Sequence, residues 1–277
     1  MPGRLLVSCP DKPGIVAAVS RFLFEQGANL VHADQHTTQD APRRFFLRVE
    51  FENVPAEALA TAFEPVAESF AMEARFIEVE RRKKIAVLVS KEDHCLRELL
   101  WEIESGDIEA DVRCVIGNHP TMQKISEAHG SPFHHVPVTP ETKEEAEARQ
   151  TELCEGADLV VLARYMQIVS PGFLQKWPNR VINIHHSFLP AFVGANPYRQ
   201  AFQRGVKLIG ATAHYVTTEL DAGPIIEQDV ARVDHRDEVT ELRRLGRQLE
   251  RSVLARAVRW HCEDRVLVHG NRTVVFG

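Results

Sequence analysis

A short apolar run, RLLVSC (residues 4–9), is broken at once by Pro10-Asp11-Lys12-Pro13-Gly14. Ile15, Val19, Phe22 and Leu23 then recur at helical spacing, with Gly27 placed to end the helix. Two strands are predicted next, over 29–38 and 43–51. In the second, Leu47, Val49 and Phe51 alternate with Phe46, Arg48 and Glu50, and Gln39-Asp40-Ala41-Pro42 supplies the turn between the two. A second helix is predicted from Pro55 onward, carrying Leu59, Phe63 and Val66, and a last strand over 72–79. The order β-α-β-β-α-β is that of the ferredoxin-like split unit, assigned to residues 1–80. The charged run Glu80-Arg81-Arg82-Lys83-Lys84 reads as a solvated boundary.

From Ile85 the pattern alternates between strand and helix, which marks a second domain over 85–277. IAVLV (85–89) is continuously apolar, as expected of a strand buried on both faces. Leu96, Leu99, Leu100 and Ile103 follow at helical spacing. Strands are predicted over 111–118, 133–138, 157–165, 181–185, 209–216 and 224–233, with helical segments over 120–129, 141–154 and 171–177. A long amphipathic helix with Leu242, Leu245, Leu249, Val253 and Trp260 precedes VLVHGNRTVVF, which reads as a terminal hairpin. Alternation of this kind predicts an α/β domain, Rossmann-like, around a doubly wound and mostly parallel sheet.

Bulk composition narrows the partners. The 277 residues are 44% apolar and 26% charged, which suits a globular protein, and the formal charge of −6 gives no global positive field to hold nucleic acid. The N-terminal stretch MPGRLLVSCPDKPG lacks the apolar core of a signal peptide, and no run approaches transmembrane length. The expectation is therefore a cytoplasmic protein with neither nucleic acid nor membrane as partner. Cys9, Cys95, Cys114, Cys154 and Cys262 are scattered without CxxC spacing, so reduced, buried thiols are expected rather than structural zinc or disulfides.

Candidate chemistry concentrates in VINIHHSFLP (181–190). Asn183 and His185, two apart on an extended chain, point to one side near a strand's carboxyl end, and His186 points elsewhere. Adjacent histidines on a strand cannot easily share one ion, and no HxxxH or cysteine partner supports them, so no metal is expected. Downstream, His214-Tyr215-Val216 ends a strand, and a turn delivers Leu220-Asp221-Ala222-Gly223-Pro224. Brought together, the three groups suit carbonyl chemistry. Asn183 can donate to a carbonyl oxygen, His185 can stabilise an oxyanion or move a proton, and Asp221 can orient the imidazole or activate water. Taken singly, a turn aspartate can equally be a local hydrogen-bond acceptor, and a strand-end asparagine can satisfy backbone.

The pair Asn183-Ile184-His185 with Asp221-Ala222-Gly223-Pro224 resembles the folate-dependent formyltransferase superfamily. His185-His186-Ser187-Phe188-Leu189-Pro190, Gly194-Ala195-Asn196-Pro197-Tyr198 and Ile209-Gly210-Ala211-Thr212-Ala213-His214-Tyr215 look like its hydrolytic branch, the formyltetrahydrofolate deformylases. Val7-Ser8-Cys9-Pro10-Asp11-Lys12-Pro13-Gly14-Ile15-Val16 is similar to the ACT-type regulatory domain of that branch. Where nucleotide-using transferases of the superfamily carry a Gly/Ser-rich phosphate loop, this chain has Ser90-Lys91-Glu92-Asp93-His94-Cys95, with no glycine and two carboxylates that would repel a phosphate.

The resemblance implies an ACT domain followed by a formyltransferase-like domain, and hydrolysis of 10-formyltetrahydrofolate to tetrahydrofolate and formate. The formate would supply purine synthesis, and the reaction would balance one-carbon folate pools. Catalysis would rest on Asn183, His185 and Asp221. The folate, a substrate and not a held cofactor, would lie against Arg164, Tyr165, Met166 and Ile168, and against the Asp221 loop with His214 and Gly223. The ACT domain implies an amino-acid effector near Asp11, Lys12, Gly14 and Asn29, and a homo-oligomer. A formyltransferase with an unidentified amine acceptor and a non-catalytic folate or amino-acid sensor are the rival readings.

Overall fold

The computed structural model describes residues 2–191 and 197–277; Gly194, Ala195 and Asn196, which carry part of the resemblance, lie outside the described residues. The chain divides into two compact units.

The first unit comprises Met1–Arg82 with Asp264–Leu267 and Val274–Gly277. Its elements are β1 (Gly3–Pro10), α1 (Ile15–Glu25), β2 (Asn29–Thr37), β3 (Arg44–Glu52), α2 (Ala56–Ala60), α3 (Glu64–Phe70) and β4 (Glu73–Glu78). The sheet is antiparallel throughout, in the order β2-β3-β1-β4. Leu5, Val7 and Cys9 of β1 and Phe45, Leu47, Val49 and Phe51 of β3 present one face, which buries Ile15, Val19, Phe22 and Leu23 of α1 together with Leu59 and Phe63. The period of two in the strands and of three to four in the helix is what makes these faces meet. The single helix expected after Pro55 is two. Pro65 has no N–H to donate and its ring crowds the carbonyl of Thr61, so the chain breaks between α2 and α3.

The division expected at 1–80 and 85–277 differs from the observed one at the C-terminus. Arg48 on β3 is 4% exposed and needs acceptors in the interior of this unit. The Asp264 carbonyl accepts from its Nε at 3.2 Å, and the Asp264 carboxylate pairs with Arg4 at 3.3 Å. That is the physical reason the end of the chain belongs here.

The second unit comprises Lys83–Glu263 and Val268–Thr273. Its strands are β5 (Lys83–Val89), β6 (Ala110–Gly117), β7 (Phe133–His135), β8 (Leu159–Ala163), β9 (Val181–His185), β10 (Leu208–Tyr215) and β11 (Ile225–Arg232). Its helices are α4 (His94–Ser105), α5 (Gln123–Ala128), α6 (Lys143–Leu153), α7 (Pro171–Lys176), α8 (Pro197–Arg204) and α9 (Val239–Cys262). The sheet order is β11-β10-β9-β8-β5-β6-β7. The strands from β9 to β7 are parallel, and β10 and β11 run antiparallel at one edge. Ile85–Val89 and Leu159–Ala163 are buried at every position, as strands with both faces covered require. Helix α8 was not expected from the sequence. Its buried residues are only Pro197, Tyr198 and Ala201, too short a stripe to stand out. A terminal hairpin of β12 (Val266–His269) and β13 (Arg272–Val275) follows. All five cysteines are free and buried. No helix among the described residues is long and apolar enough to cross a membrane.

Candidate active site

Parallel strands β8 and β9 end side by side at Ala163 and His185, and β10 runs back along β9 so that His214 sits opposite Asn183. A cavity of about 770 Å³ opens at these ends. Ligands in open α/β sheets bind at the carboxyl ends of strands, and this volume suits a small-molecule substrate.

His214 is the first fixed group. Its Nδ1 lies 2.9 Å from the Tyr215 carbonyl oxygen, which can only accept, so Nδ1 carries the proton. Nε2 is then a bare acceptor, 3.3 Å from the Asn183 amide nitrogen. Burial lowers the His214 pKa, which keeps the ring neutral and preserves this polarity. One Asn183 N–H is thereby committed, which sets the plane of the amide and leaves its second N–H for another acceptor.

His185 and Asp221 form the second pair. Nδ1 of His185 lies 3.2 Å from Oδ2 of Asp221. The hydrogen bond from His185 holds the Asp221 carboxyl below its ordinary range and outweighs the opposing effect of burial. Nε2 of His185 is buried with no hydrogen-bond partner among the described residues, an orphan polar atom at the cavity wall.

Asp221 is held there by backbone. It takes a left-handed conformation with φ of 55°. Two residues on, a side chain at Gly223 would place its Cβ 1.8 Å from the Tyr215 carbonyl oxygen. Tyr215 N–H donates to the Pro224 carbonyl at 2.9 Å, so the loop doubles back onto the end of β10. Only glycine allows that approach.

The remaining expected residues separate. Met166 and Ile168 are 57% and 62% exposed and line the cavity with Leu162, Val216 and Leu220, giving it an apolar wall. Tyr165 belongs largely to the core: its hydroxyl accepts from Gln150 at 2.8 Å, and burial raises its pKa to about 12. Arg164 has φ of 60° and its Nε lies 3.4 Å from Glu250. The His186 ring lies 5.3 Å from that of His185 and 6.0 Å from that of Tyr198, and burial, aided by Arg164, lowers its pKa to about 4.

Sequence reasoning missed the group beneath this wall. Glu250 on α9 is 1% exposed; it accepts from His94 Nε2 at 2.8 Å and from the Tyr198 hydroxyl. Burial alone would raise its pKa, but His94, Arg164 and Tyr198 reverse this and hold it low. The available signal was a carboxylate four residues beyond Gly246 on the buried face of α9; a Cβ at Gly246 would meet the Tyr198 hydroxyl at 2.0 Å. His94, Cys95 and Glu250 also bring metal-ligand atoms within 4.8 Å of one another. Glu250 is already bonded to His94 and Tyr198 and paired with Arg164, and burial keeps the Cys95 thiol protonated. The arrangement is that of an ion-paired network rather than a metal centre.

In the first unit, Asp11 and Lys12 are exposed between β1 and α1, and Gly14, with φ of 94°, leads into α1. Asn29 opens β2 on the surface, and its amide donates to Glu52 at 2.9 Å.

Residues 83–258 match the family described as Formyl transferase, and residues 3–62 match the ACT domain. The chain is 55% identical to a formyltetrahydrofolate deformylase of Bacillus subtilis, over 99% of this chain and 93% of that protein. A crystal structure of a formyltetrahydrofolate deformylase from Pseudomonas syringae superposes with a TM-score of 0.97 at 48% identity, covering 100% of this chain and 94% of that one. A glycinamide ribonucleotide transformylase from Symbiobacterium toebii superposes with a TM-score of 0.67 at 33% identity, over 71% of this chain and 95% of that one.

Proposed function

The chain belongs to the formyltetrahydrofolate deformylase family, and from that premise we propose that it hydrolyses 10-formyltetrahydrofolate to tetrahydrofolate and formate with Asn183, His185 and Asp221 as the reacting set. The pterin lies against the apolar wall formed by Met166, Ile168, Val216 and Leu220, and the formyl group reaches the polar wall.

Water attacks the formyl carbon, and negative charge develops on the formyl oxygen. The second Asn183 N–H and, once protonated, Nε2 of His185 are the donors to that oxygen; both atoms are positioned before the reaction, so little reorganisation is needed. Asp221 orients His185 and stabilises its charged form, and its carboxylate takes part in moving the proton from water. The C–N bond then breaks, the folate nitrogen receives a proton, and formate leaves. The observation that carries this reading is the His185–Asp221 pair at 3.2 Å beside an Asn183 amide locked by a neutral His214.

Formate release from 10-formyltetrahydrofolate, with no amine added, is the direct test. Asn183→Ala lowers turnover by about 10²–10³ if its amide is an oxyanion donor. Full activity in that variant would remove Asn183 from the mechanism.

Regulation rests on the ACT unit. An amino acid binds near Asp11, Lys12, Gly14 and Asn29, where the segment leading into α1 is exposed. Strands β2 and β4 are the edges of that unit's sheet, and edge pairing of ACT units builds a homo-oligomer. The protein works in the cytoplasm, without a resident cofactor, and its formate is available to purine synthesis. Calorimetric titration with free amino acids, and light scattering for oligomer size, test these two assignments.

A further inference from the structure

Helix α9 carries six arginines, and its ion pairs divide them by face. Arg244, Arg251, Arg256 and Arg259 each have a carboxylate partner: Glu241 at 2.6 Å, Glu98 at 3.8 Å, Asp229 at 2.9 Å and Glu102 at 2.8 Å. Arg243 and Arg247 are exposed and have neither an ion-pair nor a hydrogen-bond partner among the described residues. They are also the two of the six that line the active-site cavity. Arg199 of α8 lines it with them, exposed and equally without a partner among the described residues. The chain has 39 acidic residues against 33 basic ones, yet none is set against these three cations.

The fold brings the three together at a cost. Arg243 and Arg247 are four apart, so they share one face of α9, and like charges at that spacing oppose the helix. Gly246 stands between them, and there α8 closes onto α9. A Cβ at Gly246 would meet the Tyr198 hydroxyl at 2.0 Å, and that hydroxyl donates to Glu250 one turn further on. Arg199 follows Tyr198 directly. The carboxylates of the cavity wall are directed elsewhere. Asp221 is paired with His185, Glu250 is bonded to His94 and Tyr198 and paired with Arg164, and Glu92 faces His94 at 3.8 Å. His186 joins this side of the cavity to the reacting groups, its ring 6.0 Å from that of Tyr198 and 5.3 Å from that of His185.

We infer that Arg199, Arg243 and Arg247 form an anion-binding site at the opening of the active-site cavity, for a ligand with two or more negative charges close together. Guanidinium groups present forked donors that match the paired oxygens of carboxylates and phosphates, and here those donors are unspent. A ligand seated there also relieves the repulsion between Arg243 and Arg247. Two sources supply the chemistry: the carboxylates of the folate's own glutamyl tail, and a small phosphate-bearing molecule that enters beside the folate. The first source rests on the hydrolytic reading above, and the second does not.

The test sets removal of the unpaired cations against removal of paired ones. Full-length wild type, Arg243→Gln/Arg247→Gln and the control Arg244→Gln/Arg251→Gln are compared; both variants lose two charges from one helix, and glutamine keeps helix propensity. Formate release is measured from 10-formyltetrahydrofolate bearing one or three glutamates. Pyrophosphate is titrated calorimetrically without folate, and both measurements are repeated at about 0.3 M salt, which screens exposed charges. An exposed ion pair contributes up to about fivefold, so losing two weakens the ligand by about tenfold or more. With the tail as ligand, wild type favours three glutamates in kcat/KM, and Arg243→Gln/Arg247→Gln loses about tenfold of that preference. With a free phosphate as ligand, pyrophosphate affinity falls by that factor in the same variant and the number of glutamates has no effect. In both cases salt weakens the interaction and the control follows wild type. A wild type with neither a glutamate preference nor pyrophosphate binding overturns the proposal, and so does an Arg243→Gln/Arg247→Gln variant that matches the control in both measurements. If wild type releases no formate, it is the hydrolytic reading that fails, and the calorimetric titration still decides the site.

Discussion

Nδ1 of His185 lies 3.2 Å from the Asp221 carboxylate, and the opposite ring nitrogen is buried without a partner among the described residues. One side of the ring is therefore spent on orientation and charge, and the other is free for the substrate. Asp221→Asn keeps an oxygen in reach of Nδ1 but removes the charge that stabilises an imidazolium. It is expected to lower kcat by about 10²–10³ with a much smaller change in KM. Stability also responds to pH. The Asp221 pKa is lowered on folding, so its contribution is present above the ordinary carboxylate value and lost as pH falls through the folded one. The difference in urea midpoint between wild type and the variant shrinks as pH falls below about 4.

Gly223 makes the Asp221 position possible. A methyl group there would lie 1.8 Å from the Tyr215 carbonyl oxygen, and backbone has to move to relieve it. Gly223→Ala is expected to destabilise the fold by about 3 kcal/mol or more, a fall in Tm of roughly 6–12 °C. Scanning calorimetry gives that value, and activity falls with it because Asp221 is displaced. A variant with wild-type Tm and turnover would show the loop to be free of this constraint.

Much of this was legible in the sequence for identifiable reasons. The strands β5 and β8 announce themselves because burial on both faces forces continuous apolar runs, and α1 because its buried residues repeat at three and four. Asn183, His185 and Asp221 lie within two short segments whose geometry local rules can read. The partners of Glu250 were not legible. It pairs with His94, 156 residues away, and no local pattern encodes a contact at that separation. The end of the chain, too, is claimed by Arg48, a partner 216 residues distant from Asp264. The helix expected after Pro55 was overextended because a count of apolar positions ignores what Pro65 does to the carbonyl four residues earlier.

His186 carries an acid-stability prediction. Burial lowers its pKa from the ordinary 6.5 to about 4, so the ring is neutral in the folded protein. Between those values the unfolded chain binds a proton that the folded one does not, and stability falls as pH drops from about 6.5 toward 4. His214, lowered by burial as well, acts in the same direction. His186→Gln removes one of the two groups. Its urea unfolding free energy, measured between pH 7 and 4.5, is expected to fall less steeply with acid than that of wild type. An identical slope would place the His186 proton outside the folding equilibrium.

Glu250 is the residue whose loss strands the most charge. Its carboxylate, 1% exposed, is what His94, Tyr198 and Arg164 share. Truncation to alanine leaves the Arg164 guanidinium buried with no anion among its described neighbours, and removing one partner from a buried ion pair costs about 3–5 kcal/mol. Glu250→Gln keeps an oxygen for the Tyr198 hydroxyl and fills the volume, but cannot neutralise Arg164, so it falls between alanine and wild type. Double mutation separates charge from packing. Adding Arg164→Gly to Glu250→Ala removes the stranded cation together with the strained backbone, and is expected to recover about half or more of the lost stability, since groups in direct contact couple by up to about 3 kcal/mol. Additive losses in the double-mutant cycle would mean that Glu250 contributes through His94 and Tyr198 alone.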